Sequence, residues 1–169
     1  PWRGVAWYRK TFQLDEADRG RRVYFDFDGV MAFPKVFVNG QLAGEWDYGY
    51  MAFRVDATPY VKFGKDNVIA VQADTRRWGT RWYPGAGMYR PVTMTICDPV
   101  HVAHWGTYVT TPRVEDEAAT VRVRSTIDNH LDADSEVTVE ITLLDPKGEV
   151  VTKGQKSGAA PAGGSCEVD

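Results

Sequence analysis

Val36-Phe37-Val38-Asn39-Gly40-Gln41-Leu42-Ala43-Gly44 is the stretch on which the reading of the fold turns. A β-branched and aromatic run meets Asn-Gly, the pair that most readily supplies two positive φ angles, so a type I′ hairpin turn is predicted at Asn39-Gly40. The return strand is Gln41 to Gly44. Working outward, almost every patterned run has period two rather than 3.6, which predicts an all-β protein. Val23 to Asp28 places Val23, Phe25 and Phe27 on one face and Tyr24, Asp26 and Asp28 on the other, so one face is core and the second is at least partly wet. Further strands are predicted over Val5 to Leu14, Phe53 to Asp56, Val68 to Asp74 and Val92 to Ile96. In the last of these, Val92, Met94 and Ile96 face inward. Leu14 to Arg22 is a polar connection, Thr58-Pro59 opens a single helical turn, and Gly64-Lys65-Asp66-Asn67 is a turn.

At Asp98-Pro99 the composition shifts. Aromatics thin out after Trp105 and Tyr108, and Thr, Val, Asp and Glu take over. A domain boundary is expected there, giving domains 1–98 and 99–169. Strands over Val100 to Thr110, Ala119 to Asp128, Glu136 to Leu144 and Val150 to Lys153, split by polar turns such as Asp145-Pro146-Lys147-Gly148, suggest an immunoglobulin-like β-sandwich. Such domains take about 100 residues, so this one is expected to lack its last strands. Gly158 to Ser165 is small and Gly-rich, and reads as a loop.

Composition narrows the partners. The 169 residues are 43% hydrophobic and 25% charged, enough to bury a core, and the net charge of -3 leaves no basic footprint for nucleic acid. No segment approaches the roughly 20 apolar residues of a membrane helix, and Pro1-Trp2-Arg3-Gly4 opens without Met or a signal pattern, as if cut from something longer. Cys97 and Cys166 match no metal spacing and no small disulfide framework, so free thiols are expected.

The richest chemistry lies in Arg81-Trp82-Tyr83-Pro84-Gly85-Ala86-Gly87-Met88-Tyr89-Arg90-Pro91-Val92. Pro84, Gly85 and Gly87 hold a bent backbone, on which Arg81 offers a planar cation and Trp82 and Tyr83 two aromatic faces. Aromatic faces stack on the C–H patches of a pyranose, and an Arg fork donates to vicinal hydroxyls. The other reading of the same residues is a buried aromatic corner closing a β-sandwich. The strand ending at Asp74 would deliver Asp74, Arg76, Arg77 and Trp78 to this rim. Trp46, Tyr48 and Tyr50, with Asp47 and Gly49 between them, form an aromatic loop that either pads the core or sits beside a ligand.

Taken together, Val36-Phe37-Val38-Asn39-Gly40, Tyr48-Gly49-Tyr50, Asn67-Val68-Ile69-Ala70-Val71, and Arg81-Trp82-Tyr83-Pro84-Gly85 through Arg90-Pro91-Val92 resemble glycoside hydrolase family 2, that of the β-galactosidases and β-glucuronidases. Trp7-Tyr8-Arg9-Lys10-Thr11-Phe12 resembles the early strand of that family's sugar-binding jelly-roll domain. His104-Trp105-Gly106 and Tyr108-Val109-Thr110-Thr111-Pro112 resemble the start of its immunoglobulin-like second domain. The resemblance covers nearly the whole chain.

It implies retaining hydrolysis of β-glycosides by two glutamates held about 5 Å apart in a third domain, a (β/α)8 barrel. No stretch here has the strand-helix alternation of a barrel. The resemblance therefore implies a fragment of a β-glycosidase, most like a β-galactosidase, that has no catalytic residue and is inactive alone. Its partners would be a terminal β-linked sugar and the absent barrel, with homo-oligomerisation of the whole enzyme open. No cofactor is implied. Carried over residue by residue, it points to Arg81 as a donor to the terminal sugar, with Trp82 beside it and Asp74 as a further candidate. The alternatives are a free-standing carbohydrate-binding module and a purely structural spacer.

The remaining polar clusters suggest structure. His101 and His104 are three apart, which on a strand puts them on opposite faces and spoils chelation, so no metal site is expected. Glu115-Asp116-Glu117 is a solvated turn, and Asp26 and Asp28 are read as structural surface. Gly85-Ala86-Gly87 precedes a strand, without the helix N-terminus that phosphate binding uses.

Overall fold

The computed structural model describes residues 4–76 and 85–169. Two compact units divide the chain, one ending at Cys97 and the other running Asp98–Asp169. The first contains β1 (Val5–Gln13), β2 (Arg22–Phe27), β3 (Val30–Met31), β4 (Lys35–Val38), β5 (Gln41–Glu45), β6 (Phe53–Asp56), β7 (Asp66–Asp74), β8 (Gly87–Met88) and β9 (Val92–Cys97). The second contains β10 (Val100–Val114), β11 (Ala119–Asn129), β12 (Ser135–Leu144), β13 (Val150–Ala160) and β14 (Ser165–Val168). Both are all-β: a jelly-roll sandwich followed by an immunoglobulin-like one.

In the first unit a four-stranded sheet, β1-β7-β4-β5, faces a three-stranded sheet, β6-β2-β9, with the ribbon β3-β8 at one side. Period-two alternation explains the core. Val23, Phe25 and Phe27 of β2 are buried against Val36 and Val38 of β4 and Ile69, Val71 and Ala73 of β7. Aromatic contacts fix the depth of this layer: Phe12 meets Phe25 edge-on at 5.2 Å, and Phe27 stacks on Phe53 at 4.7 Å. On the outer face of β2, Arg54 holds Asp26 through two bonds of 2.6 and 2.9 Å, and Thr95 adds a third at 2.8 Å. Asp26 is thereby committed to the sheet, whereas Asp28 is exposed.

Asn39 and Gly40 adopt φ of 51° and 84°, the two positive angles of the hairpin turn, and Val38 pairs with Gln41 across it. Asn39 also reaches beyond its own hairpin. Its amide donates to Tyr60 O and Asn67 Oδ1 and accepts from Val68 N. Asn67 is fully buried, and its amide makes four bonds: Nδ2 donates to Lys62 O and Lys65 O, while Oδ1 accepts from Lys62 N and Asn39 Nδ2.

Several local expectations change. The Thr58-Pro59 segment is a hydrogen-bonded turn, closed by Tyr60 N to Ala57 O at 2.9 Å, and not a helix. Thr58 Oγ1 instead accepts from Val23 N, which ties the turn to β2. One turn of 3-10 helix forms in the polar connection, at Glu16–Asp18, capped by the Asp15 carboxylate. Val92 and Met94 pair beside Phe27 and Phe25 on the core side of their sheet, yet remain 39% and 37% exposed. They line an open apolar cleft of about 580 Å³ together with Phe25, Phe27, Met88 and Tyr8. Gly87, at φ 86°, lies against Tyr8 so closely that a Cβ would overlap the phenol oxygen. Only glycine fits there.

The second unit pairs β10-β11-β14 in one sheet and β12-β13 in another. The expected Gly158–Ser165 loop is shorter than predicted: β13 continues to Ala160, and β14 begins at Ser165. Small residues let that end pack closely, and Ala160 is fully buried. The polar amide of Asn129, 1% exposed, donates to Ala133 O and Ala160 O and accepts from Leu131 N. Val121, Val123, Val139, Ile141 and Leu143 line an open cleft of about 450 Å³.

Replacing Asn67 by Ala leaves several buried partners unsatisfied, at about 1–3 kcal/mol each before relaxation. Chemical denaturation of Asn67→Ala should therefore show a net loss of about 3 kcal/mol. A loss below about 1 kcal/mol would mean that the amide clasp contributes little.

Candidate functional site: a polar cleft at the end of β7

β7 carries its apolar residues inward until Ala73, and then presents Asp74 at the rim. Thr75 anchors this end, exchanging hydrogen bonds with the backbone of Gly4 at 2.9 to 3.1 Å. The Asp74 backbone N–H donates to Ala32 O at 2.8 Å, which pulls the β3–β4 connection against β7. Phe33, the next residue in that connection, has φ 45°. A bulky residue in the left-handed region stores local strain, of the kind that collects where a loop is held in a set shape.

Between these segments lies a cleft of about 370 Å³, lined by Phe33, Pro34, Lys35, Glu45, Trp46, Asp47, Gln72, Asp74 and Arg76. Asp74 and Arg76 form a forked ion pair. Arg76 Nη2 meets Asp74 Oδ2 at 2.7 Å and Nε meets Oδ1 at 3.0 Å, while the Arg76 backbone N–H also donates to Oδ1 at 3.0 Å. The Asp74 carboxylate raises the Arg76 guanidinium above its ordinary pKa, first by the hydrogen bond and then by charge. The Arg76 side chain is 66% exposed while that of Asp74 is 17% exposed, so the acid is the seat and the guanidinium the presented group. Across the cleft Lys35 pairs with Glu45 at 2.7 Å.

The aromatic loop supplies the flat surface. Trp46 stacks on Phe53 at 5.8 Å, with its backbone N–H donating to Pro34 O at 3.0 Å. Its indole is thus half-buried on one side and faces the cleft on the other. Tyr48 and Tyr50 meet edge to face at 5.7 Å and stay exposed, and the Tyr89 hydroxyl donates to Gly49 O at 2.8 Å, linking β8 to this loop. An adjoining cleft of about 330 Å³ is lined by Glu45, Trp46, Asp47 and Tyr48.

A planar indole, paired acid-base groups and solvent-facing carboxylates suit a polyhydroxylated ligand. The larger 580 Å³ cleft suits one less well, since its lining is mainly apolar, with Arg9 and Lys10 among its few polar members, and would leave many sugar hydroxyls without partners. Of the residues singled out in the sequence, Asp74, Arg76 and Trp46 come together here. Arg81, Trp82, Tyr83, Arg77 and Trp78 lie outside the described residues. Lys35, Glu45 and Phe33 line the cleft although nothing in the sequence marks them, because only strand pairing, with Lys35 opposite both Gln72 and Glu45, brings them there.

The family model for the glycosyl hydrolases family 2 sugar binding domain matches residues 2–93. The chain belongs to glycoside hydrolase family 2. It is 44% identical over 161 residues to the β-galactosidase BoGH2A of Bacteroides ovatus, a match that covers 95% of this chain and 19% of that enzyme. A β-glucuronidase of Formosa agariphila is 31% identical, over 99% of this chain and 19% of its own length. Among solved structures, a family 2 member from Bacteroides cellulosilyticus superposes with a TM-score of 0.94 at 34% identity, covering 99% of this chain and 23% of that one. The chain thus spans about a fifth of the curated relatives it matches.

Titrating the protein with galactose or glucuronate should shift the Trp46 indole N–H resonance and the Asp74 and Arg76 amides, and Trp46→Ala should abolish the shifts. Shifts confined to the apolar cleft around Met94 would place sugar elsewhere.

Proposed function

We propose that this family 2 sugar-binding domain serves a β-glycosidase, most like a β-galactosidase, by shaping the mouth of a substrate pocket whose catalytic glutamates lie in a barrel domain of the same enzyme. The reaction served is hydrolysis of a terminal β-linked glycoside. The observation that supports this most is the polar cleft at the end of β7, where the Asp74-Arg76 fork and the Trp46 face converge in a domain of that family. The relatives' names supply the substrate class: one is a β-galactosidase and another a β-glucuronidase.

In this reading the domain performs no bond cleavage. Arg76 and Arg81 donate to sugar hydroxyls, Trp46 and Trp82 pack against the ring's C–H face, and Asp74 orients Arg76 while accepting from the sugar where geometry allows. The barrel is the principal partner, and self-association of the whole enzyme is compatible with the exposed aromatic loop. A free-standing sugar-binding module would use the same cleft. The two readings part on whether the polypeptide continues into a domain with two glutamates.

In the enzyme, Arg81→Ala should lower kcat/KM for the natural glycoside by about ten- to a hundredfold, the loss of one charge-assisted hydrogen bond, with the melting temperature unchanged. An unaltered kcat/KM would remove Arg81 from the pocket. The chain by itself should release no nitrophenol from nitrophenyl β-galactoside or β-glucuronide, and turnover above background would overturn the non-catalytic role.

A further inference from the structure

The second unit brings together three groups that sequence spacing keeps apart. His101 on β10 pairs directly with Asp128 on β11, and His130 follows one residue after β11 ends. The His130 backbone N–H donates to Pro99 O at 2.9 Å, which holds that residue beside the start of β10. The two imidazoles stack with centroids 5.4 Å apart and planes 19° from parallel. One ligand atom from each of His101, Asp128 and His130 lies within 4.8 Å of the others.

The expected obstacle to chelation, the spacing of His101 from His104, does not arise, since His104 is not a member. His104 stacks instead on Trp105, at an irregularity where the β10–β11 register breaks between Val102 and Thr107. His101 finds its partners across the strand pair, not along its own strand.

We propose that His101, Asp128 and His130 bind a divalent transition ion of the zinc type, closing a clip between the start of β10 and the end of β11. The chemistry of the set fits such an ion. Imidazoles and a carboxylate without thiolate select Zn²⁺ and its neighbours over the hard oxygen-seeking Mg²⁺ and Ca²⁺. His101 is already oriented: its Nδ1 lies 2.7 Å from Asp98 O, and a carbonyl can only accept, so Nδ1 carries the proton and Nε2 would be the ligating nitrogen. A backbone carbonyl holding the far nitrogen is the usual support of a ligating histidine. Bonds of about 2.0–2.1 Å in tetrahedral geometry need ligand atoms roughly 3.4 Å apart, so the cluster has to draw in by rotamer adjustment. His130, the exposed member of the set, is the one that would move. Three protein ligands leave a fourth position for water.

A competing arrangement of the same residues is an imidazolium–carboxylate network, which takes up no metal. Calorimetric titration of the tag-free protein with ZnCl₂ at pH 7.5 separates the two. One equivalent should bind with micromolar affinity, undiminished by millimolar MgCl₂, and the ring nitrogens of His101 and His130 should shift in ¹⁵N spectra of the zinc-loaded protein. His130→Gln, at an exposed position, should weaken binding by at least about tenfold with the fold intact by circular dichroism, and Asp128→Asn should do likewise. Absence of saturable binding, or binding that both variants leave unweakened, would overturn the site.

Discussion

The Asn39-Asn67 amide pair is the constraint on which the first unit depends. A buried primary amide costs free energy unless its two donors and its acceptor are all used, and at Asn67 they are. The bonds run to three separate pieces of chain: the β4–β5 turn, the Tyr60–Lys65 connection and the first residues of β7. Hydrophobic burial alone would permit β7 to slide against β4, but the amide geometry does not. Register matters because a slip of one residue exchanges the faces of a strand. Asp74 lies seven residues beyond Asn67, about 23 Å along an extended strand. A slip of one residue fixed wrongly at the clasp would turn Ala73 outward and Asp74 toward the core. The site at one end of β7 is therefore set by hydrogen bonds at the other.

The second unit repeats the device on a smaller scale. Its fully shielded apolar residues are few, Ile127, Ala160 and Val168 among those described, and its inner strand faces stay half-open. Asn129 compensates by joining the end of β11 to Ala133, Leu131 and Ala160. This amide also fixes where the chain leaves β11, and so where His130 comes to rest beside His101. A directional bond decides that placement, since a thin apolar layer has little orientational preference of its own.

Much of this was legible in the sequence, for physical reasons that differ by element. Val23-Tyr24-Phe25-Asp26-Phe27 alternates so strictly that only a half-buried strand satisfies it, and Asn39-Gly40 specifies a turn through backbone sterics alone. In the first unit the strand boundaries were legible to within a few residues because Gly and Pro punctuate them, whereas β13 runs to Ala160, well past its expected end at Lys153. What failed were readings that rest on tertiary partners. Thr58-Pro59 satisfies a helix start locally, yet the Thr58 hydroxyl is taken by Val23 on the neighbouring strand of the same sheet. Gly158-Ala159-Ala160 looks like loop because small residues signal flexibility, whereas here they permit close packing. The cleft was half legible: Asp74, Arg76 and the Trp46 loop were marked by residue type, but Lys35, Glu45 and Phe33 enter only through strand pairing. Likewise His101 could be judged only against His104, its neighbour in sequence, and not against Asp128 and His130, its neighbours in space.

The division of labour in the first unit follows from dielectric surroundings. The centre of the apolar layer, around Val23, Phe27, Val36 and Val38, is fully buried and needs no help, whereas the Arg76 guanidinium is exposed to water, where each hydrogen bond to a sugar hydroxyl would compete with one to solvent and net about 0.5–1.5 kcal/mol. Three or four such bonds offset little more than the cost of holding a small ligand still, so the open rim by itself discriminates poorly among sugars. Under the proposed role, a second domain closing over the cleft would exclude that water. The same donors would then be worth about 1.5–3 kcal/mol each, and a missing or inverted hydroxyl would leave a desolvated guanidinium unpaired. Specificity would thus belong to the closed pocket and not to either wall.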